Sequence, residues 1–202
     1  LGWACWKTYV GRQEANWARR LSMTALGNGL AIAKHHEDAL SVQEAELSML
    51  RRLGAREESI LVTQGNLAGT YASLGRYEHA SRMQREVYSG QLKLQGEHRD
   101  TFIAANNYAG SLIGLQRYAE AKLLMRKMLP VARRVLGESH DTTLRMQYIY
   151  SVALRKDPAA TLEDVCEAVA TLEVVAPIAR RVLGAEHPLA GELETTKQES
   201  RT

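Results

Sequence analysis

Small and apolar residues recur three and four positions apart along much of the chain. In one such run, Leu67, Ala68, Tyr71 and Leu74 fall on one face of a helix with about 3.6 residues per turn. The run stops at Gly75, a residue type that suits the carboxyl end of a helix, and another run begins two residues later. The pattern therefore predicts pairs of helices that are joined by short turns.

One segment of the chain occurs twice. Residues 130–137, PVARRVLG, return as residues 177–184, PIARRVLG, with a single valine-to-isoleucine exchange. Asn66 and Asn107 begin the matching stretches NLAG and NYAG, 41 positions apart. Internal repeats of this length indicate a stacked architecture, in which each unit buries its apolar face against its neighbours. We therefore expect an all-α fold, a solenoid of stacked helix-turn-helix units.

The recurring Leu-Gly or Gln-Gly endings divide this solenoid into units of about 42 residues. The predicted segments are residues 1–13 (tail of a preceding repeat), 14–54, 55–96, 97–137 and 138–184 (repeats one to four), and 185–202 (start of a fifth repeat or a frayed tail). Each unit is predicted to contain a first helix and a second helix, with Asp100 and Asp141 as caps of first helices. Pro130 and Pro177 fall inside second helices, which we expect them to bend. The array is expected to continue beyond this sequence.

The repeats resemble a known family. Small and large positions alternate, with Ala at the predicted helix contacts, as in the tetratricopeptide repeat. The long unit, the pair Asn106-Asn107, the run RYAEA at 117–121 and the run LGAEHP at 183–188 resemble the kinesin light chain variety of that repeat. The resemblance implies a right-handed superhelix whose first helices line a concave groove for extended peptides.

The resemblance also implies which residues face that groove. In the family, a pair of Asn side chains on the first helix contributes to it. Asn106 and Asn107 match both positions, Asn66 matches the second, and Gln147 stands in place of the first Asn in repeat four. Repeat one has Thr-Ala at residues 24–25. The predicted peptide-binding residues are thus Asn66, Asn106, Asn107 and Gln147.

Pairs of arginines recur at the ends of second helices. They are Arg51 and Arg52, Arg133 and Arg134, and Arg180 and Arg181. A cation in the last turn of a helix interacts favourably with the helix dipole, which is a sufficient structural role. If stacking aligns the pairs, they would form a basic ladder for RNA or an acidic partner. A net charge of +3 does not by itself favour nucleic acid, which we consider an improbable ligand.

The sequence contains little that points to catalysis. It lacks a phosphate-binding glycine motif and a recognisable nucleophile–base arrangement. His98, His140 and His187 recur one to a turn, which favours a turn or capping role over a shared zinc site. Cys5 and Cys166 carry no paired motif, and we expect both thiols to be free. Neither an enzyme activity nor a cofactor or metal is expected.

We therefore predict a non-enzymatic scaffold that binds a protein, as a peptide or a partner helix. The alternative is a structural spacer or oligomerisation module of a larger signalling or multidomain protein. In that alternative, Gly65, Gly69, Gly110 and Gly114 merely permit tight helix packing. Apolar residues make up 45% of the chain, and none of their runs approaches the ~20 residues that cross a bilayer. A cytoplasmic protein without a membrane partner is expected.

Overall fold

A computed structural model describes residues 17–199, and these residues form helices and turns without a strand. The predicted all-α fold is confirmed. The nine helices of this part of the chain are α1 (Trp17–Ile32), α2 (His36–Arg52), α3 (Glu57–Ser73), α4 (Tyr77–Gln95), α5 (Arg99–Gly114), α6 (Tyr118–Leu136), α7 (Asp141–Lys156), α8 (Leu162–Leu183) and α9 (Pro188–Glu199). The predicted tail at residues 1–13 lies outside the described residues, as does Cys5.

The helices form two compact units, one ending at Leu94 and the other starting at Gln95. The N-terminal unit contains α1 to α4, and the C-terminal unit contains α5 to α9. Within each unit, consecutive helices pack side by side as helix-turn-helix repeats; α4 contacts α3 through Gln84 Nε2, which donates to the carbonyl oxygen of Gly65 at 3.3 Å. By the order of the predicted repeats, α1, α3, α5, α7 and α9 are first helices, and α2, α4, α6 and α8 are second helices.

Alanine occupies the same fully buried position in each second helix. Ala39, Ala80, Ala121 and Ala168 have no exposed surface, and they follow one another at intervals of 41, 41 and 47 residues. A methyl side chain at this place lets neighbouring helices approach closely. The longer last interval matches the turn between α7 and α8 at residues 157–161.

The duplicated segments end two helices in the same way. The backbone N–H groups of Gly137 and Gly184 donate to the carbonyl oxygens of Arg133 and Arg180, at 3.0 and 3.1 Å. Both glycines have a positive φ, 92° and 96°, which favours glycine over other residues. Gly therefore marks the repeat ends because the turn needs this backbone conformation.

The caps of α5 and α7 differ from the prediction. Asp100 and Asp141 lie inside the first turn, and the capping residues are His98 and His140. Their Nδ1 atoms accept the backbone N–H two residues further on, at 3.4 and 3.1 Å, and His187 does the same at 3.2 Å. The prediction of Asp caps was wrong, because a neutral imidazole nitrogen takes the place of the expected carboxylate. The capping role of the histidines is confirmed.

Gly65, Gly69 and Gly110 do not serve tight packing. A Cβ atom added at Gly69 or Gly110 would meet nothing within 4 Å, and one at Gly65 would meet only Val87 Cγ1 at 3.9 Å. Close approaches occur instead at Gly27 of α1, where a Cβ would lie 2.9 Å from Gln43 Cγ, and at Gly90 of α4, where a Cβ would lie 2.7 Å from Leu61 Cδ2. The packing role predicted for Gly65, Gly69 and Gly110 was therefore wrong.

Pro130 and Pro177 lie inside α6 and α8, as the sequence predicted. Both helices continue past the proline to the end of the duplicated segment, at Leu136 and Leu183. Each proline removes one backbone donor without ending its helix.

Candidate functional site

The predicted amide pair lies on α5 in the C-terminal unit. Asn107 is exposed to solvent, and Asn106 is half-buried. The Oδ1 atom of Asn106 is shielded and accepts no hydrogen bond from residues 17–199. An unsatisfied acceptor of this kind is uncommon in a folded protein.

Gln147, on α7, has a different environment from the asparagines. Only 4% of its surface is exposed. With its amide oxygen turned towards Arg133, that oxygen accepts hydrogen bonds from Nε at 3.1 Å and Nη2 at 2.9 Å. Gln147 therefore ties α7 to the last turn of α6, and its oxygen is already occupied.

Asn66, on α3, belongs to the N-terminal unit and is half-buried. Its backbone carbonyl accepts a hydrogen bond from Thr70 Oγ1 at 3.3 Å. The structure therefore keeps Asn66 on a first helix, as predicted.

All six arginines of the predicted ladder are exposed, and Arg133 and Arg134 lie beside acidic residues. Arg133 lies 3.9 Å from Glu138 Oε1, and Arg134 donates to Glu97. Arg51 and Arg52 end α2 in the N-terminal unit, and Arg180 and Arg181 end α8 in the C-terminal unit. The positive charge at the end of α6 is thus partly compensated within the protein.

The structure reveals a cavity that sequence reasoning missed. It has a volume of about 470 Å³ and lies between α1 and α3, with α2 beneath it. Two large apolar side chains at its mouth are strongly exposed, Leu21 at 57% and Val62 at 49%. The lining residues are Arg20, Leu21, Thr24, Ala25, Glu46, Leu50, Glu58, Ser59, Val62 and Thr63. Cavities of this size and mixed lining are typical of sites that bind side chains or small ligands.

A buried carboxylate forms the polar part of this cavity. Glu46, on α2, is only 2% exposed. Its Oε1 atom accepts hydrogen bonds from Thr24 on α1 and from Thr63 Oγ1 on α3, the latter at 3.4 Å. Burial raises the pKa of the Glu46 carboxyl, whereas the two hydroxyls and the charge of Arg20 lower it in part. Glu46 therefore joins two first helices beneath the cavity.

The cavity lies at the register of the predicted Asn pair, which repeat one fills with Thr24 and Ala25. Thr24 precedes Asn106 by two repeat intervals of 41 residues, so both occupy the same register of a first helix. The resemblance drew attention to Asn at this register and thereby away from repeat one. The acidic residue on the adjacent second helix was the signal that could have revealed the site.

A second polar network lies in the C-terminal unit and links α6, α7 and α8. Lys122 Nζ lies 3.1 Å from Asp164 Oδ2, and Arg126 Nη2 lies 3.1 Å from Glu167 Oε2. Tyr150 accepts from Arg126 Nε at 2.7 Å and donates to Glu167 at 2.8 Å. Every member of this network has a partner, so it serves to hold the three helices together.

Two further observations bear on the kind of site. Within residues 17–199, no three His, Cys, Asp or Glu side chains converge in a way that could hold a metal ion. None of the helices in the same range combines the length and the apolar character that crossing a membrane requires. Cys166 is free and exposed.

Known proteins share this architecture. Residues 60–97 and 101–141 match a tetratricopeptide repeat family model. The fold is similar to the crystal structure of a variant of a Podosopora anserina protein assigned as a kinesin light chain with nearly identical TPR-like repeats. The TM-score is 0.73 and the identity 22%, over 90% of this chain and 84% of that chain. A crystal structure of the Podosopora anserina protein described without a substitution has a TM-score of 0.71 at 23% identity, over 90% of this chain and 85% of that chain.

A third similar structure is BtubC (BKLC) from P. vanneervenii, with a TM-score of 0.58 at 13% identity, over 99% of this chain and 85% of that chain. No curated protein matches the chain significantly in sequence. The helical hairpins and these matches define a helical repeat protein of the solenoid class. Residues 60–97 and 101–141 are similar to tetratricopeptide repeats, and the fold is similar to that of solved kinesin light chain-like repeat structures. Such repeats generally act as protein–protein interaction modules.

Proposed function

We propose that the protein is a non-enzymatic scaffold that binds a peptide or a partner helix on its first helices. The observation that carries this proposal is the cavity between α1 and α3, with Leu21 and Val62 exposed at its mouth. Exposed apolar groups beside a few fixed polar groups are the usual composition of a binding surface. The cavity supports a ligand that runs across the first helices of the N-terminal unit.

In the C-terminal unit, the amides of Asn106 and Asn107 support a second area of contact on α5. Amide side chains both donate and accept, so they can pair with the backbone of an extended peptide. They are carried by a helix, which limits the ordering cost of binding. We include Asn66 in this proposal, and assign Gln147 a supporting role through Arg133.

A peptide array screened at two ionic strengths tests the proposal. A groove that recognises peptides through amides and apolar contacts should keep its hits at both strengths. RNA binding through the arginines would weaken steeply with salt. The partners of Arg133 and Arg134 in the protein itself argue against the RNA alternative. If no peptide on the array binds, the result contradicts the scaffold proposal and favours the structural-spacer alternative.

Two double variants then test which residues bind the peptide. Asn106→Ala with Asn107→Ala, and separately Leu21→Ser with Val62→Ser, should each weaken the best hit about tenfold, or ~1.4 kcal/mol. Stability should stay within about 1 kcal/mol, because these residues are exposed or half-buried. Lys127→Ala on α6, an exposed change on a second helix, is the matched control. Unchanged affinity in both double variants would contradict the proposed surface.

A further inference from the structure

Glu46 stands at a position that the other repeats fill with apolar core residues. The equivalent residues of repeats two, three and four are Val87, Met128 and Val175, which follow at the same intervals of 41, 41 and 47 residues. They are 5%, 4% and 1% exposed. Repeat one thus buries a carboxylate where a hydrophobic side chain would pack without a desolvation cost. A buried carboxylate is destabilising unless it is hydrogen-bonded or paired with a positive charge.

Residues 17–199 satisfy only part of the hydrogen-bonding capacity of the Glu46 carboxylate. Both hydroxyl donors, Thr24 and Thr63, reach the same oxygen, Oε1. No residue between 17 and 199 donates a hydrogen bond to Oε2 or forms an ion pair with Glu46. Arg20, the nearest basic residue at the cavity, donates to Ser59 Oγ at 3.2 Å. Among residues 17–199, only Oε1 of this carboxylate therefore has hydrogen-bond donors, and Glu46 lines the cavity.

The shape of the cavity indicates which cation fits. Leu21, Leu50 and Val62 provide apolar walls along which an aliphatic stem can lie. A lysine has such a stem and ends in a compact ammonium group that binds as a point charge. An arginine presents a planar fork that prefers both oxygens of a carboxylate, and Oε1 of Glu46 is already occupied.

We propose that the cavity between α1 and α3 receives a lysine side chain of the bound peptide, with its ammonium group on Glu46. The proposal rests on the proposed function, because it names a feature of the ligand bound at that surface. Glu58 at the rim adds negative charge, which offsets that of Arg20. Repeat one thereby selects for a basic side chain.

The test starts from the best peptide of the array and replaces each of its residues in turn. One position should require lysine, with a loss of about tenfold to a hundredfold on replacement by acetyl-lysine or glutamine. Replacement by arginine should cost less than acetylation but remain measurable. A binding peptide without any lysine-dependent position would overturn this inference and leave the scaffold proposal intact.

Glu46→Gln then links the requirement to this carboxylate. The variant keeps an acceptor for the two threonines and removes the charge, so it should erase the difference between lysine and acetyl-lysine. Glu58→Gln, which removes a charge at the exposed rim, should preserve most of that difference. Far-UV circular dichroism verifies that both variants are folded. A lysine preference that survives in Glu46→Gln would overturn the inference, whereas failure of every peptide to bind would remove the scaffold proposal together with it.

Discussion

Replacing Glu46 by Met should stabilise the protein, because Met is the residue of the equivalent position in repeat three. The change adds two buried apolar groups worth about 0.8 kcal/mol each and removes a desolvated charge. It also takes the acceptor from Thr63, at a cost of about 1 kcal/mol. Thr24 keeps the carbonyl of Arg20 at 3.0 Å as acceptor. We expect a net gain of about 1–3 kcal/mol at neutral pH.

The gain should depend on pH in a definite direction. Burial raises the folded-state pKa of Glu46 above its ordinary value of 4.5. The unmodified protein therefore loses stability as pH rises from this value through the folded-state pKa. Met does not titrate, so the advantage of Glu46→Met should be largest at neutral pH and smallest near pH ~4. Urea unfolding followed by circular dichroism at both pH values measures the difference.

Glu58→Gln is the control, since it removes an exposed carboxylate from the rim of the same cavity. Its effect should stay within about 0.5 kcal/mol. A Glu46→Met variant that is less stable than the unmodified protein at neutral pH would refute the reasoning. An equal gain at both pH values would also refute it, because the buried charge would then contribute nothing.

Two further predictions concern the helices and use urea unfolding as well. Gly69→Ala should stabilise the protein by about 0.5–1 kcal/mol, because the new methyl group meets nothing within 4 Å. The methyl group of Gly90→Ala would overlap Leu61, so this variant should be at least about 1 kcal/mol less stable than Gly69→Ala. The reverse order of stability would contradict the observed packing. Thr161→Ala removes the hydroxyl that accepts from Asp164 N at 3.1 Å and should cost about 1 kcal/mol, whereas no loss would show that this cap does not stabilise α8.

Much of the fold could be predicted from the repeat itself. The 41-residue spacing recurs in the structure, where α4 and α6 start at Tyr77 and Tyr118, because each turn signal recurs with its helix. The caps could not be read in the same way. Asp100 and His98 both stand near a helix start, and only the backbone geometry shows which side chain reaches the free N–H groups.

The candidate site was less accessible to sequence analysis. The Asn pair could be identified because its family is known, but the burial of Gln147 depends on its contact with Arg133, which sequence spacing does not encode. Glu46 looks like an ordinary polar residue of an amphipathic helix. The structure shows that Glu46 is buried where α2 packs against α1 and α3, and that the equivalent positions of the other repeats hold apolar residues.

The central claim is that ligands bind to the first helices. The best peptide of the array, synthesised with a photoreactive group at successive positions, can be cross-linked to the protein and the attachment sites mapped by mass spectrometry. We predict that the peptide cross-links to first helices. When the photoreactive group replaces the lysine of the peptide, the cross-link should lie near α1 and α3. Attachment mainly to the second helices α2, α4, α6 and α8 would contradict the account.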